Sequence, residues 1–204
     1  MELLVHNHFT LKPNNGFFAD KFEVPIWEIE LIDPILDSIE LQSSLKDLSR
    51  YNQVNFSKTI ARLYYNGTQN DPIKNLIGYS CKDKLLDIVS LTNGFKTKFL
   101  QPLSVYKEHT RQFSSIILDQ PGFSMTPHMD NHDIIVQCIV NLVQDNETST
   151  AFYNSYSETP VYQAPKKKNH GVMFVNTSGS LHGIQNITHN RWIWYSGVGL
   201  CYQN

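Results

Sequence analysis

Apolar residues recur near helical spacing in two stretches of the first half of the chain. One stretch begins at Pro34; the other covers residues 85–110, where we expect Asn93-Gly94 to interrupt it. The apolar positions of the two stripes are Ile35, Ile39, Leu41, Leu45 and Leu48, and then Leu85, Ile88 and Val89. Residues 22–31 alternate between apolar and polar side chains instead, which predicts a strand, and Pro25 favours an edge position for it.

The pattern changes after Gln112, where runs of β-branched and aromatic residues are bounded by turn residues. The five runs are Phe113–Asp119, Ile134–Val143, Ala151–Tyr153, Val172–Asn176 and Arg191–Tyr202. Because no helical pattern separates them, they predict antiparallel sheets in a sandwich or barrel. The expected fold class is α+β but mainly β. We expect a single domain, 1–204, in which a strand and helices of residues 1–112 support a jelly roll (double-stranded β-helix) of residues 113–204.

Composition and charge narrow the classes of protein. The chain is 41% hydrophobic and 12% aromatic, as expected for a folded domain, and 17 basic residues balance 19 acidic ones. This balance argues against a nucleic-acid partner. The N-terminal residues make a poor signal peptide, no stretch reaches the roughly 20 apolar residues of a membrane span, and the three cysteines lie far apart. We therefore expect a cytoplasmic protein without membrane association.

Candidate chemistry centres on the stretch Pro121–Asn131, which places His128 and Asp130 two residues apart, directly before an apolar strand. On an extended chain, side chains at i and i+2 point to the same face. His182, in the short apolar stretch 180–184, would add a second imidazole. Two histidines and one carboxylate leave one side of a metal open and suit non-haem Fe(II). A His-x-Asp pair also occurs by chance in many sequences, so the pair alone does not define a site.

The strand-rich half, about residues 113–202, resembles the Fe(II)- and 2-oxoglutarate-dependent dioxygenases, and within them the prolyl-4-hydroxylase-like and phage-type members. The matching elements are Gly122 six residues before His128, Thr150-Ala-Phe152, Gly171-Val-Met-Phe174, His182-Gly183-Ile184 and Arg191. The resemblance implies that His128, Asp130 and His182 bind Fe(II). The three open coordination positions would then take 2-oxoglutarate and O2, and an aspartate as second ligand implies hydroxylation rather than halogenation.

The resemblance also implies a binding site for the cosubstrate. Arg191 follows His182 by nine residues and would pair with the distal carboxylate of 2-oxoglutarate, to which a planar guanidinium can donate two hydrogen bonds. Strand alternation places Tyr195 on the same face as Arg191, where its hydroxyl could reach that carboxylate, and Thr150 is a further cosubstrate residue by its position. The alternatives are a surface position for Arg191 and ordinary packing for Tyr195 and Thr150.

Two positions depart from the prolyl-hydroxylase pattern. Those enzymes carry tyrosines nine and three residues before the first histidine, where this chain has Asp119 and Met125. The first tyrosine helps to hold the cosubstrate, whereas an aspartate there would repel it. We therefore expect a hydroxylase of a protein residue or a small molecule that releases succinate and CO2, with the substrate left open. A nucleic-acid dealkylase of the same chemistry and a non-catalytic metal-binding jelly roll remain alternatives, and the sequence indicates no oligomeric state.

Overall fold

Two packed antiparallel sheets form the frame of the protein. The computed structural model describes residues 4–5, 8–14, 16–19, 22–53, 62–67, 72–79, 82–92, 106, 108–156 and 159–201. The strands are β1 (Leu4–Val5), β2 (Phe9–Pro13), β3 (Phe17–Ala19), β4 (Phe22–Val24), β5 (Ile26–Leu31), β6 (Tyr51–Asn52), β7 (Arg62–Tyr65), β8 (Thr110–Asp119), β9 (Met125–His128), β10 (Ile134–Asn141), β11 (Ala151–Phe152), β12 (Tyr162–Gln163), β13 (His170–Val175), β14 (His182–Ile184) and β15 (Arg191–Leu200). The α-helices are α1 (Ile39–Lys46), α2 (Ile73–Ile77) and α3 (Lys82–Ser90).

The strand order is that of a jelly roll. The large sheet runs β1-β2-β5-β13-β10-β15-β8-β7-β6 and the small sheet runs β12-β11-β14-β9, while β3 and β4 form a separate hairpin. Strands β8 to β15 are thus divided between the two sheets, with β8, β15, β10 and β13 in one and β9, β14, β11 and β12 in the other. The predicted fold class is confirmed, and the five predicted strands coincide with β8, β10, β11, β13 and β15. The short strands β9, β12 and β14 were not predicted as separate elements.

The two faces of the large sheet bury different sets of side chains. In β15, Trp192 and Trp194 pack into the cluster that also contains the buried residues of the three helices. Ile193, between them, packs instead with Phe152 of the small sheet and Phe174. This alternation follows from the two-residue period of a strand and leaves the space between the two sheets for a site. None of the helices in the described ranges has the length and apolar composition required to span a membrane.

The N-terminal half contains more strand than the sequence predicted. The predicted strand at residues 22–31 is divided at Pro25 into β4 and β5, and β5 lies inside the large sheet, between β2 and β13. The predicted edge position is therefore wrong. Pro25 lies between the two strands, so its missing N–H removes no ladder hydrogen bond, while its carbonyl oxygen accepts one from Val175 at 3.2 Å.

The helix predicted from Pro34 is divided as well. A 3-10 segment, Pro34–Asp37, ends at Ser38, whose backbone is extended and whose side-chain hydroxyl caps α1 by accepting a hydrogen bond from the Leu41 N–H. A second 3-10 segment, Leu48–Arg50, follows α1. The break changes the buried face: Ile39 is 85% exposed and Leu48 is 49% exposed. Leu36, Leu41 and Leu45 are buried instead. Helix α3 confirms the second helical stripe at its start, and the interruption expected at Asn93-Gly94 lies outside the described residues.

Candidate active site

Strand pairing brings the three predicted metal ligands together. His128 is the last residue of β9, Asp130 follows two residues later, and His182 is the first residue of β14. Strands β9 and β14 are antiparallel neighbours, with His128 directly opposite His182. Side chains at opposite positions of such a pair lie within about 5.5 Å of each other at Cβ. The register therefore brings together two histidines that lie 54 residues apart in sequence (182 minus 128).

The ligand atoms converge as a metal site requires. The Nε2 atom of His182 lies 3.3 Å from Oδ2 of Asp130, and the Nε2 atom of His128 lies 3.7 Å from Oδ1. One ligand atom from each of the three residues can be chosen so that all lie within 4.8 Å of one another. A single cation could bridge such a set, and two imidazoles with one carboxylate suit Fe(II).

Backbone carbonyl groups orient both imidazoles in the same way. The Nδ1 atom of His128 is 2.9 Å from the carbonyl oxygen of Thr126, and the Nδ1 atom of His182 is 2.9 Å from that of Ser180. Because a carbonyl oxygen only accepts, each Nδ1 must donate, which leaves the Nε2 lone pair of a neutral ring for a metal.

The electrostatics of the site favour an ionised Asp130 carboxylate. Burial opposes ionisation of Asp130, but hydrogen bonds from His128, His182 and Gln137 hold its pKa well below the usual range. Burial likewise disfavours protonated His128, yet its hydrogen bonds to Asp130 and to the Thr126 carbonyl group raise its pKa. A bound cation would take the place of the imidazolium proton opposite Asp130.

Gln137 was not predicted as a site residue. It lies on β10, it is fully buried, and its Nε2 donates a 2.5 Å hydrogen bond to Oδ2 of Asp130. Its Oε1 accepts a 3.1 Å hydrogen bond from the Tyr195 hydroxyl, whose pKa is raised by burial. Gln137 therefore links Tyr195 to the carboxylate of Asp130. The sequence feature that could have identified Gln137 is that it is a polar amide within the apolar run 134–140. The predicted contact of Tyr195 with the cosubstrate stays a prediction.

Arg191 is buried, which excludes the surface alternative. Only 3% of the residue is exposed, and the guanidinium donates to Asp119 Oδ2 at 3.3 Å, Thr150 Oγ1 at 3.2 Å and Asn141 Oδ1 at 3.4 Å. Burial lowers the pKa of Arg191 to about 10 despite the opposing effect of Asp119, so the group stays charged at neutral pH. The structure thus brings two predicted cosubstrate residues, Arg191 and Thr150, into direct contact.

Asp119 is held between two arginines, one of which the sequence analysis missed. Strand β8 lies between β7 and β15, and both Arg62 and Arg191 are directly opposite Asp119 in the register. Arg62 donates from Nε to Oδ1 at 2.6 Å and from Nη2 to Oδ2 at 3.0 Å, and its guanidinium carbon lies 4.3 Å from the centre of the Phe123 ring. No motif surrounds Arg62, so only the pairing of β7 with β8 reveals it.

One cavity of about 180 Å³ connects these groups. The polar residues that line it are Arg62, Tyr64, His128, Asp130, Gln137, Thr150, His182, Arg191 and Tyr195. Apolar walls come from both sheets, with Ile117, Ile139 and Ile193 from the large one and Met125 and Ile184 from the small one. The cavity therefore combines a candidate three-residue metal-binding set with two guanidinium groups.

Comparison with solved structures identifies the class of fold. The chain has 16% identity and a TM-score of 0.55 with a prolyl hydroxylase from Trichoplax adhaerens solved with a hypoxia inducible factor peptide fragment, covering 86% of this chain and 83% of that one. A prolyl-4-hydroxylase from Pseudomonas putida has 11% identity and a TM-score of 0.52, covering 96% and 95%. HygX from Streptomyces hygroscopicus, solved with nickel, 2-oxoglutarate and hygromycin B, has 13% identity and a TM-score of 0.50, covering 88% and 83%.

These likenesses show the fold alone. The chain has the jelly-roll fold of the prolyl-4-hydroxylase-like 2-oxoglutarate oxygenases, as the sequence resemblance implied. No family model matches the chain, and no curated protein matches it.

Proposed function

We propose that this chain is an Fe(II)- and 2-oxoglutarate-dependent dioxygenase that hydroxylates a protein residue or a small molecule. The observation that carries the proposal is the presence, in one cavity, of the set His128, Asp130 and His182 together with the buried Arg191. A module that only binds a metal needs the three ligands but gains nothing from a buried arginine. Asp119 offsets only one of the two guanidinium charges, those of Arg62 and Arg191, and the remaining positive charge is therefore evidence for an anionic ligand.

Each residue has a defined task in this proposal. The Nε2 atoms of His128 and His182 and the carboxylate of Asp130 would hold Fe(II). Bound Fe(II) would couple the decarboxylation of 2-oxoglutarate to succinate and CO2 with the activation of O2 for hydroxylation. Arg191 binds the distal carboxylate of the cosubstrate, and Thr150 orients the guanidinium through its bond to Nη2. The apolar walls would reduce the amount of water around the metal and the cosubstrate.

The proposed class of substrate is not restricted to proline. One fold neighbour was solved with a peptide fragment and another with hygromycin B, so both a peptide and a small molecule are compatible with this fold. Asp119 and Met125 stand where prolyl hydroxylases carry tyrosines, which gives no support to proline as the substrate. We also propose a cytoplasmic location, where a reducing environment would keep iron ferrous; the free cysteines Cys138 and Cys201 are consistent with it.

The test is anaerobic addition of Fe(II) and then 2-oxoglutarate, followed by visible spectroscopy. We expect the charge-transfer band of a chelated 2-oxo acid in the wild type and its loss in His182→Ala. His170→Ala is the matched control, because His170 bonds to the Lys168 carbonyl group and does not line the cavity, and it should retain the band. A folded, iron-loaded wild type without the band would reject the proposal in favour of a metal-binding module.

A further inference from the structure

Asp119 presents an electrostatic problem for the proposed cosubstrate site. It is fully buried, it contacts Arg191, and it lies next to a cavity proposed to bind a dicarboxylate. An unpaired carboxylate there would repel the cosubstrate and would also compete with it for the Arg191 guanidinium. The surrounding residues must offset its charge if the site is to bind an anion.

Arg62 offsets the negative charge of Asp119. Its Nε and Nη2 atoms bond to both oxygens of Asp119, at 2.6 and 3.0 Å, whereas Arg191 makes one longer contact of 3.3 Å. The face of Arg62 packs on the Phe123 ring. Arg62 is therefore the main partner of Asp119, which leaves Arg191 more weakly bound to it.

The formal charges support the same assignment. Arg62 and Arg191 contribute +2 and Asp119 contributes −1, which gives +1. A divalent metal with Asp130 gives a further +1, so the loaded site carries +2, the complement of a dianionic 2-oxo dicarboxylate. Without Arg62 the site would carry only +1. Because Asp119 and Arg191 are buried and the Arg62 side chain is only 16% exposed, solvent screens their charges poorly, and the missing charge matters more than it would at the surface.

We propose that Arg62 is a positioning residue for the cosubstrate: by neutralising Asp119 it keeps Arg191 available for the anion. This inference rests on the proposed function. Arg62 does not need to touch 2-oxoglutarate, since two of its three nitrogens are engaged by Asp119. The pair Arg62–Asp119 then sets the affinity for 2-oxoglutarate, while the metal ligands set the affinity for the metal.

The experiment measures 2-oxoglutarate binding to the Ni(II)-loaded protein by calorimetry. Arg62→Gln should weaken binding by about tenfold or more, because Asp119 then opposes the anion and competes for Arg191. The double variant Arg62→Gln with Asp119→Asn removes one charge of each sign and should recover to within about threefold of the wild type. Ni(II) affinity in the absence of 2-oxoglutarate should not fall in any variant, since loss of the Arg62 charge cannot weaken the binding of a cation, and this separates a charge effect from damage to the fold.

Arg50→Gln is the matched control, because Arg50 pairs with Asp47 at the surface, and its 2-oxoglutarate affinity should equal that of the wild type. The inference is overturned if Arg62→Gln binds as the wild type does, or if the double variant stays as weak as Arg62→Gln. If Arg62→Gln does not fold, the double variant is the test by itself. A 2-oxoglutarate affinity of the double variant about tenfold below that of the wild type then rejects the inference. A wild type that binds Ni(II) but no 2-oxoglutarate rejects the proposed function itself.

Discussion

Replacement of Gln137 by leucine tests whether the hydrogen bond from Gln137 holds the carboxylate of Asp130 in position. The change keeps the side chain close to its original size but removes the donor to Asp130 and the acceptor of the Tyr195 hydroxyl. The bond to a charged carboxylate contributes about 2 kcal/mol and the bond from a neutral hydroxyl about 1 kcal/mol, so the variant should lose about 3 kcal/mol of unfolding free energy. Asp130 would then be free to rotate away from the two imidazoles.

The assay is titration of the metal-free protein with Ni(II), together with chemical denaturation. Loss of a residue that orients a metal ligand typically lowers metal affinity about 10- to 100-fold, and we expect that range for Gln137→Leu. Gln112→Leu is the control: Gln112 bonds to the Tyr79 carbonyl group and to Ser196, does not line the cavity, and should lower stability alone. Unchanged Ni(II) affinity in a folded Gln137→Leu protein would refute the reasoning, since Asp130 would then hold its position unaided.

Three further predictions concern packing and pH. Gly171→Ala should lower the unfolding free energy, measured by denaturation, by about 3 kcal/mol or more, because its Cβ atom would lie 1.9 Å from a carbonyl oxygen of β10. Gly199→Ala is the control: the nearest atom to its Cβ would be 3.2 Å away, and the loss should be about 1 kcal/mol or less. Leu41→Ala should lower the unfolding free energy by about 2 to 5 kcal/mol because Leu41 is buried, whereas exposed Ile39 replaced by alanine should change it by less than about 0.5 kcal/mol. Equal losses would contradict the observed division of the helix at Ser38. A metal would bind only neutral His128, so protons compete with it, and the raised pKa of His128 extends this competition to higher pH. Ni(II) affinity should therefore increase from about pH 6 to about pH 8. An affinity that does not change with pH would exclude this competition.

The same imidazole has a separate effect on the stability of the metal-free protein. Because the folded-state pKa of His128 lies above its ordinary value of about 6.5, the charged form is favoured by folding. Its contribution to stability is therefore complete below the unfolded pKa and is lost as pH rises through the folded pKa. Metal-free protein should lose this increment towards alkaline pH, while metal-loaded protein, in which the cation replaces the proton, should not.

Local spacing in the sequence determined a large part of the site. The two-residue offset of His128 and Asp130 and the alternation of β15 follow from the geometry of an extended chain, which any tertiary context preserves. The same alternation predicted that Arg191 and Tyr195 share a face, and both line the cavity. The resemblance then supplied His182 and Arg191, which periodicity alone could not connect to the first pair.

Only the tertiary structure decided how the charges are paired. Asp119 looked repulsive in the sequence because its partner Arg62 lies 57 residues away and belongs to no motif. Gln137 could not be assigned either, since its two partners come from a loop and from another strand. Strand register created both contacts, and register depends on the packing of whole sheets rather than on local spacing. The sequence by itself therefore determined the candidate metal-ligand pattern and the strand faces, whereas the packing of the sheets decided which acidic and basic side chains form pairs.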